Sequence, residues 1–166
     1  MRKRYYIIIS LLISLFIYLF YRTEKTLVNE LAIRIISLER YALLKEAVNR
    51  SLLLNELMIY SLPEGLWVFC ITLTSKPYYI QLNKLQVRCV ILPLILCVGL
   101  EVFQLLDLTN GRFDIMDIWI SIIFWIIGNY AFSDRHDKQN ILTTLNRRTM
   151  VCFATYGIVY LSHVLA

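Results

Sequence analysis

Apolar runs alternate with short polar segments along the chain. The runs lie at 5–21, 62–75, 89–106, 115–132 and 149–166. About 20 apolar residues in a helix cross a bilayer core, and shorter runs cross with snorkelling or local thinning. The pattern predicts an all-α integral membrane protein, a bundle of four to five transmembrane helices in a single membrane domain, 1–166. The number depends on 62–75, because so short a run is a short helix, a tilted helix extended at its ends, or a re-entrant segment.

The connector at about 23–60 has a different pattern, with apolar residues three and four positions apart. These are Val28, Leu31, Ile35, Leu38 and Ala42. Such spacing gives a helix one apolar stripe, and Glu46 and Arg50 are placed for an i, i+4 pair. The connector is therefore predicted to be an amphipathic helix. It either lies on the membrane, caps the bundle or makes a coiled-coil contact between copies.

Composition supports the membrane prediction. Of 166 residues, 58% are hydrophobic and 17% are charged, whereas about a quarter are charged in a typical soluble domain. The mean hydropathy is +0.61. The net charge of +5 comes from short basic clusters beside apolar runs, which is typical of the positive-inside rule and not of a nucleic-acid-binding face.

The basic N-terminus sets the predicted orientation. Arg2, Lys3 and Arg4 precede the first apolar run, which is followed by no small-x-small cleavage site. This is typical of an uncleaved signal anchor with a cytoplasmic N-terminus. With five spans, the 107–114 loop then lies outside, and the basic loops 76–88 and 133–148 lie inside.

Several polar side chains interrupt the seam between the third and fourth apolar runs. They are Glu101, Gln104, Arg112, Asp114, Asp117 and Ser121. A charge near a bilayer core costs a few kcal/mol or more, so it persists when it is paired, hydrated or functional. Residues three or four apart share a helix face, and Asn110-Gly111 is a turn signal between the two helices. We therefore expect two polar faces to meet near the outer interface.

Two interpretations of the seam remain open. Arg112 has the donors to neutralise one or two of the carboxylates in a ligand-binding cluster. Alternatively, Asp114 caps the fourth helix and Arg112 fastens the hairpin. If the protein is an enzyme, Glu101, Asp114 and Asp117 are the acid/base candidates and Arg112 holds an anionic group.

A further carboxylate, Glu64, precedes the second run. Ser61 and Glu64 fit a capping box with Pro63 in the first turn, which favours a helix that begins at this point. The functional alternative is that Glu64 faces the seam and joins the cluster.

Other chemistry has little support in the sequence. The four cysteines lie within or at the edges of apolar runs, without CxxC spacing or a neighbouring histidine, so we expect packing residues. His136 and His163 show no triad arrangement. The sequence therefore predicts neither a metal site nor a cofactor.

The same motifs carry a family resemblance. Glu101–Gln104 forms an E-x-x-Q pair, and Arg112–Asp114 with Asp117 follows as an R-x-D loop and an acidic helix start. With the Pro-Glu-Gly-Leu-Trp segment ending at Trp67, this resembles the VanZ-like family of small bacterial membrane proteins over about 62–132. Ser121 stands where that family usually has Asn, and Phe124 where a small residue is common.

The resemblance implies a multi-pass protein of the bacterial inner membrane. The founding member of the family is associated with low-level resistance to teicoplanin, which acts on the extracytoplasmic cell wall. The first functional hypothesis is therefore that the polar cluster binds or processes an envelope-related ligand.

The second hypothesis is a non-catalytic sensor or scaffold subunit of a multi-component system such as phage defence. It would work with a cytosolic partner or as a homo-oligomer. A transporter is less favoured, because the two halves carry no matching interrupted helices.

Overall fold

A computed structural model describes residues 2–22, 27–82, 84–108, 112–132, 138–143 and 146–164, with side chains described except at 2, 27, 28 and 158–164. The chain is mostly helical. The helices are α1 Arg2–Phe20, α2 Leu27–Ile36, α3 Leu38–Ser51, α4 Glu56–Ser75, α5 Leu92–Leu105 (preceded by a 3₁₀ turn, Cys89–Ile91), α6 Ile115–Tyr130 and α7 Arg147–Val164. Each of the five predicted apolar runs contains a helix.

The prediction of an all-α fold was wrong in one respect, because the structure also contains a small sheet. Its strands are β1 Tyr78–Leu82, β2 Leu85–Arg88 and β3 Gln139–Asn140, in the order β2-β1-β3. β1 and β2 form an antiparallel hairpin that pairs Leu82 with Leu85, and β3 joins β1 in parallel. Tyr78 packs with Cys89, Ile141 and Cys152, so the sheet covers one end of the helices.

The second apolar run, 62–75, is part of a longer helix that forms the centre of the fold, in agreement with the alternative of a helix extended beyond the run. α4 has 20 residues and packs against α1, α5, α6 and α7. It begins after Asn55, whose side chain accepts a hydrogen bond from the Met58 amide at 2.9 Å. The predicted capping box at Ser61 and Glu64 was therefore wrong. Both residues lie inside the helix and are buried.

The connector is helical but not continuous. α2 and α3 are separated by Ser37, whose φ of 76° breaks the helix, and 52–55 is not helical. Hydrogen bonds fasten this segment to the end of α1. The Tyr41 hydroxyl donates to the Leu19 carbonyl, and the Lys45 ammonium donates to the Arg22 carbonyl at 2.8 Å. The predicted single amphipathic helix at about 23–60 is thus two short helices.

α1 and α4 run antiparallel. The Cys70 thiol lies against the Ile7 carbonyl near one end of the pair, and Arg22 donates to the Tyr60 carbonyl at 3.0 Å near the other. Two helical segments, Lys3–Phe20 and Glu56–Ser75, are long and apolar enough to cross a membrane by length and composition. Cys89–Leu105 and Ile115–Tyr130 are apolar but shorter.

The helices present large apolar side chains outward as well as inward, and they also bury several small polar side chains. Exposed examples are Ile8 and Leu12 on α1, Ile95 and Phe103 on α5, and Trp119 and Ile123 on α6. Buried polar residues include Ser10, Ser61, Thr72 and Ser121.

Candidate functional site

Three carboxylates from three helices meet inside the bundle. Glu64 lies on α4, Glu101 on α5 and Asp117 on α6, and one oxygen from each lies within 4.8 Å of the others. Glu64 and Glu101 are 7% and 2% exposed, and Asp117 is partly buried. We refer to these three residues as the carboxylate triad. The structure thus brings Glu64 to the seam, which was the less favoured of its two sequence interpretations.

The start of α6 positions the triad. Asp114 caps this helix, since its Oδ1 accepts from the Met116 amide at 2.8 Å. The Asp114 amide in turn donates to Glu101 Oε2 at 3.0 Å. The backbone amide of Asp114 therefore positions Glu101. The exposed carboxylate of Asp114 caps the N-terminus of α6.

Gln104 contacts the triad through a hydrogen bond, whereas the Arg112 side chain does not. With its amide oriented to satisfy both neighbours, Gln104 donates to Glu101 Oε1 and to the Arg112 carbonyl, each at 3.3 Å. The Arg112 side chain is exposed, and within the described residues it makes no ion pair with Glu101, Asp114 or Asp117. Arg112 therefore does not neutralise the carboxylates of the cluster, contrary to the first interpretation of the seam.

Cys97 and Ser121 extend the cluster along α5 and α6. The Cys97 thiol donates to Glu64 Oε1 at 3.3 Å and is fully buried. Ser121 is also fully buried beside Cys97, and its hydroxyl has no hydrogen bond of normal geometry. The sequence analysis assigned Cys97 to packing. Its position four residues before Glu101 placed both on one helix face, a signal that could have identified it.

The triad is electrostatically unbalanced. The carboxylates of Glu64, Glu101 and Asp117 each place an oxygen within 4.8 Å of the other two. No lysine or arginine side chain in the described part of the chain pairs with any of the three. Like charges this close in a region of low dielectric repel strongly. The site therefore requires protons, a cation or the cationic group of a ligand.

Some predicted features lie outside the described residues. These are the Asn110-Gly111 turn, His136 and the side chain of His163.

Comparison with protein-family models, with curated proteins and with solved structures found no match. The resemblance to the VanZ-like family rests on the motif residues alone.

Proposed function

We propose that this chain is a VanZ-like protein of the bacterial inner membrane that binds an envelope-related ligand through the carboxylate triad. The observation that carries the proposal is the meeting of Glu64, Glu101 and Asp117 from three helices. Two of these acids are buried, and an isolated helix would gain nothing from burying them. A cluster assembled from three separate segments is typical of a binding site.

The outward apolar faces support the membrane assignment. In a bilayer these faces contact lipid, and the buried serines, threonines and acids are shielded from it. α4, with 20 residues, is about 30 Å long, which matches the hydrocarbon core. α5 and α6 have 14 and 16 residues, or about 21 and 24 Å, and they cross if the bilayer thins locally.

The distribution of basic residues supports the orientation. Exposed cations lie near the sheet, among them Lys84, Arg88, Lys138, Arg147 and Arg148. The triad lies toward the opposite end, where Glu101 is close to the last residue of α5 and Asp117 close to the first of α6. The positive-inside rule puts the sheet in the cytoplasm and the triad toward the outer face.

The charge of the triad selects the ligand class. An acidic, partly desolvated site favours a cationic group, such as the ammonium of a lipid headgroup or an amine on an envelope-directed antibiotic. The paired carboxylates of Glu64 and Asp117 are also the arrangement from which an acid/base reaction could proceed. Binding is the function that we propose, and processing of the ligand would extend it.

A susceptibility assay tests the proposal. The wild-type chain, expressed in a glycopeptide-sensitive host, is expected to raise the inhibitory concentration of teicoplanin. Glu64→Gln, Glu101→Gln and Asp117→Asn should each abolish that increase, because each removes one charge with little change in shape. Asp107→Asn is the matched control, since Asp107 is exposed and its φ of 54° is one that asparagine tolerates.

Membrane fractionation must show that all variants insert equally. Full protection by the three triad variants would overturn the role of the site. Absence of protection by the inserted wild-type chain would overturn this ligand class.

A second candidate is a non-catalytic subunit that acts as a homo-oligomer. The observation that favours it is the exposed apolar surface of the connector, where Ile35 is 82% and Leu53 89% exposed. Disulfide cross-linking between copies carrying Ile35→Cys tests this candidate. A cross-linked dimer at low expression would support it, and a monomeric detergent-solubilised mass without cross-links would exclude it.

A further inference from the structure

The triad has a size that suits a metal ion. Three atoms that lie no more than 4.8 Å apart share a centre no farther than 4.8/√3, or about 2.8 Å, from each of them. Calcium–oxygen distances are about 2.3–2.6 Å and magnesium–oxygen distances about 2.0–2.1 Å. A Ca²⁺ ion at this centre therefore needs a contraction of at most a few tenths of an ångström. Mg²⁺ gives up its waters more reluctantly and demands near-ideal octahedral geometry, which disfavours it at a site of three protein carboxylates.

Buried acceptor atoms without donors give a second, separate indication. Asp117 Oδ1 is inaccessible and has no hydrogen-bond donor among the described residues. Ser121, one turn farther along α6, is fully buried and its Oγ is also without a partner. Ser121 borders the triad through Cys97, whose thiol contacts Glu64. Buried polar atoms are normally satisfied, so these two acceptors favour a further partner beside the triad.

The chemistry of the donors identifies the class of that partner. Three carboxylates are hard oxygen ligands, which prefer Ca²⁺, Mg²⁺ or Mn²⁺ to softer metals. The sequence prediction of no metal considered thiol and imidazole ligands, whereas this ligand set forms when three helices pack together. We infer that Glu64, Glu101 and Asp117 bind one hard divalent cation, with Ca²⁺ favoured over Mg²⁺ because it tolerates irregular, largely protein-supplied coordination.

A bound cation changes what the site recognises. Two positive charges offset two of the three carboxylates, and a Ca²⁺ ion accepts six to eight oxygen ligands. Coordination positions beyond the triad are then available to water or to the oxygens of an anionic ligand. The inference uses the same residues as the proposed function, but it does not depend on the side of the membrane or on the envelope ligand.

Thermal unfolding and calorimetry of the purified full chain in detergent test the inference. After chelation with EDTA and its removal, CaCl₂ should bind with a stoichiometry of one and raise Tm by about 5 °C or more at a hundredfold excess over Kd. MgCl₂ should bind at least tenfold more weakly. Asp117→Asn and Glu101→Gln should lower the calcium affinity at least tenfold, while Asp107→Asn should bind as the wild type does.

The metal-free variants provide an internal check on folding. Asp117→Asn and Glu101→Gln each remove one charge and so reduce the repulsion within the triad, which should leave the Tm of the metal-free protein unchanged or higher. A lost response to calcium in these variants is then not a result of unfolding. The inference is overturned if the wild type shows no response to millimolar Ca²⁺, Mg²⁺ or Mn²⁺. It is also overturned if the triad variants respond as strongly as Asp107→Asn.

The two proposals fail separately. If the triad variants lose protection in the susceptibility assay but the wild type binds no metal, the proposed function stands and the cation site fails. Metal binding by an inserted chain that gives no protection would leave only the cation site.

Discussion

Gly65 allows α4 and α6 to approach closely enough for Glu64 and Asp117 to meet. A Cβ atom at position 65 would lie 2.5 Å from Phe124 Cδ2 and 2.6 Å from Ile120 Cγ2. The phenylalanine ring thus occupies the space that the glycine leaves. The small residue at this contact therefore lies on α4 and the large one on α6.

Gly65→Ala is expected to destabilise the protein by about 1–3 kcal/mol, because the new methyl group overpacks the contact with Phe124. Gly99→Ala is the matched control. Nothing lies within 4 Å of a Cβ at position 99, and alanine favours a helix interior by about 1 kcal/mol. Denaturant titration of both variants in detergent measures the difference. Equal stability of Gly65→Ala and the wild type would contradict the close approach, and Phe124→Leu should rescue a destabilised Gly65→Ala.

Individual site residues differed in how far the sequence could identify them. Glu101 and Asp117 were identified because charges within apolar runs are conspicuous and their spacing defines a helix face. Glu64 was ambiguous, since its local motif also fits a capping box and only the packing of α4 excludes that role. Cys97 was missed because cysteines in apolar runs are commonly packing residues, so the helix face that it shares with Glu101 was not used. Its contact with Glu64 joins residues 33 positions apart, which no local pattern reports.

At the scale of elements, Lys76 connects the end of α4 to the end of α6. Its ammonium donates to the carbonyls of Gly128, Asn129 and Phe132. A cation at a helix C-terminus satisfies free carbonyls and interacts favourably with the helix dipole. Lys76 therefore helps to fix α6 against α4 at the end opposite the triad.

Lys76→Met is expected to destabilise the protein by about 1–3 kcal/mol, since it leaves partly buried carbonyls without their donor. Lys84→Met is the control, because Lys84 is exposed on the same side of the fold. Thermal unfolding in detergent distinguishes the two variants. Identical transition temperatures would show that the capping contact contributes nothing to stability.

The sequence predicted those secondary-structure elements whose signal lies within one short segment of the chain. The apolar runs predicted the helices, because hydropathy reports segments that must be shielded from water. The start of α4 was misplaced because Asn55, a lone cap, was a weaker signal than the Ser61–Glu64 motif. The sheet was missed because β1 and β3 are short and pair across about 60 residues of chain, which no local pattern reports.

At the scale of the whole molecule, the exposed basic residues of the sheet and the carboxylate triad lie toward opposite ends of the helical bundle. Exposed arginines also occur at the triad end, at Arg112 and on the connector. In the proposed orientation, the basic end faces the cytoplasm and the triad is accessible to envelope ligands and to extracellular cations. Both the ligand proposal and its physiological setting depend on this orientation.

Cysteine accessibility in intact cells tests the orientation most directly. The native cysteines Cys70, Cys89, Cys97 and Cys152 are buried, so their background labelling should be low. Arg112→Cys and Lys84→Cys place exposed thiols at the triad end and at the sheet end. A membrane-impermeant maleimide is predicted to label Arg112→Cys in intact cells and Lys84→Cys only after permeabilisation. Labelling of Lys84→Cys in intact cells, with Arg112→Cys protected until permeabilisation, would contradict an outward-facing triad.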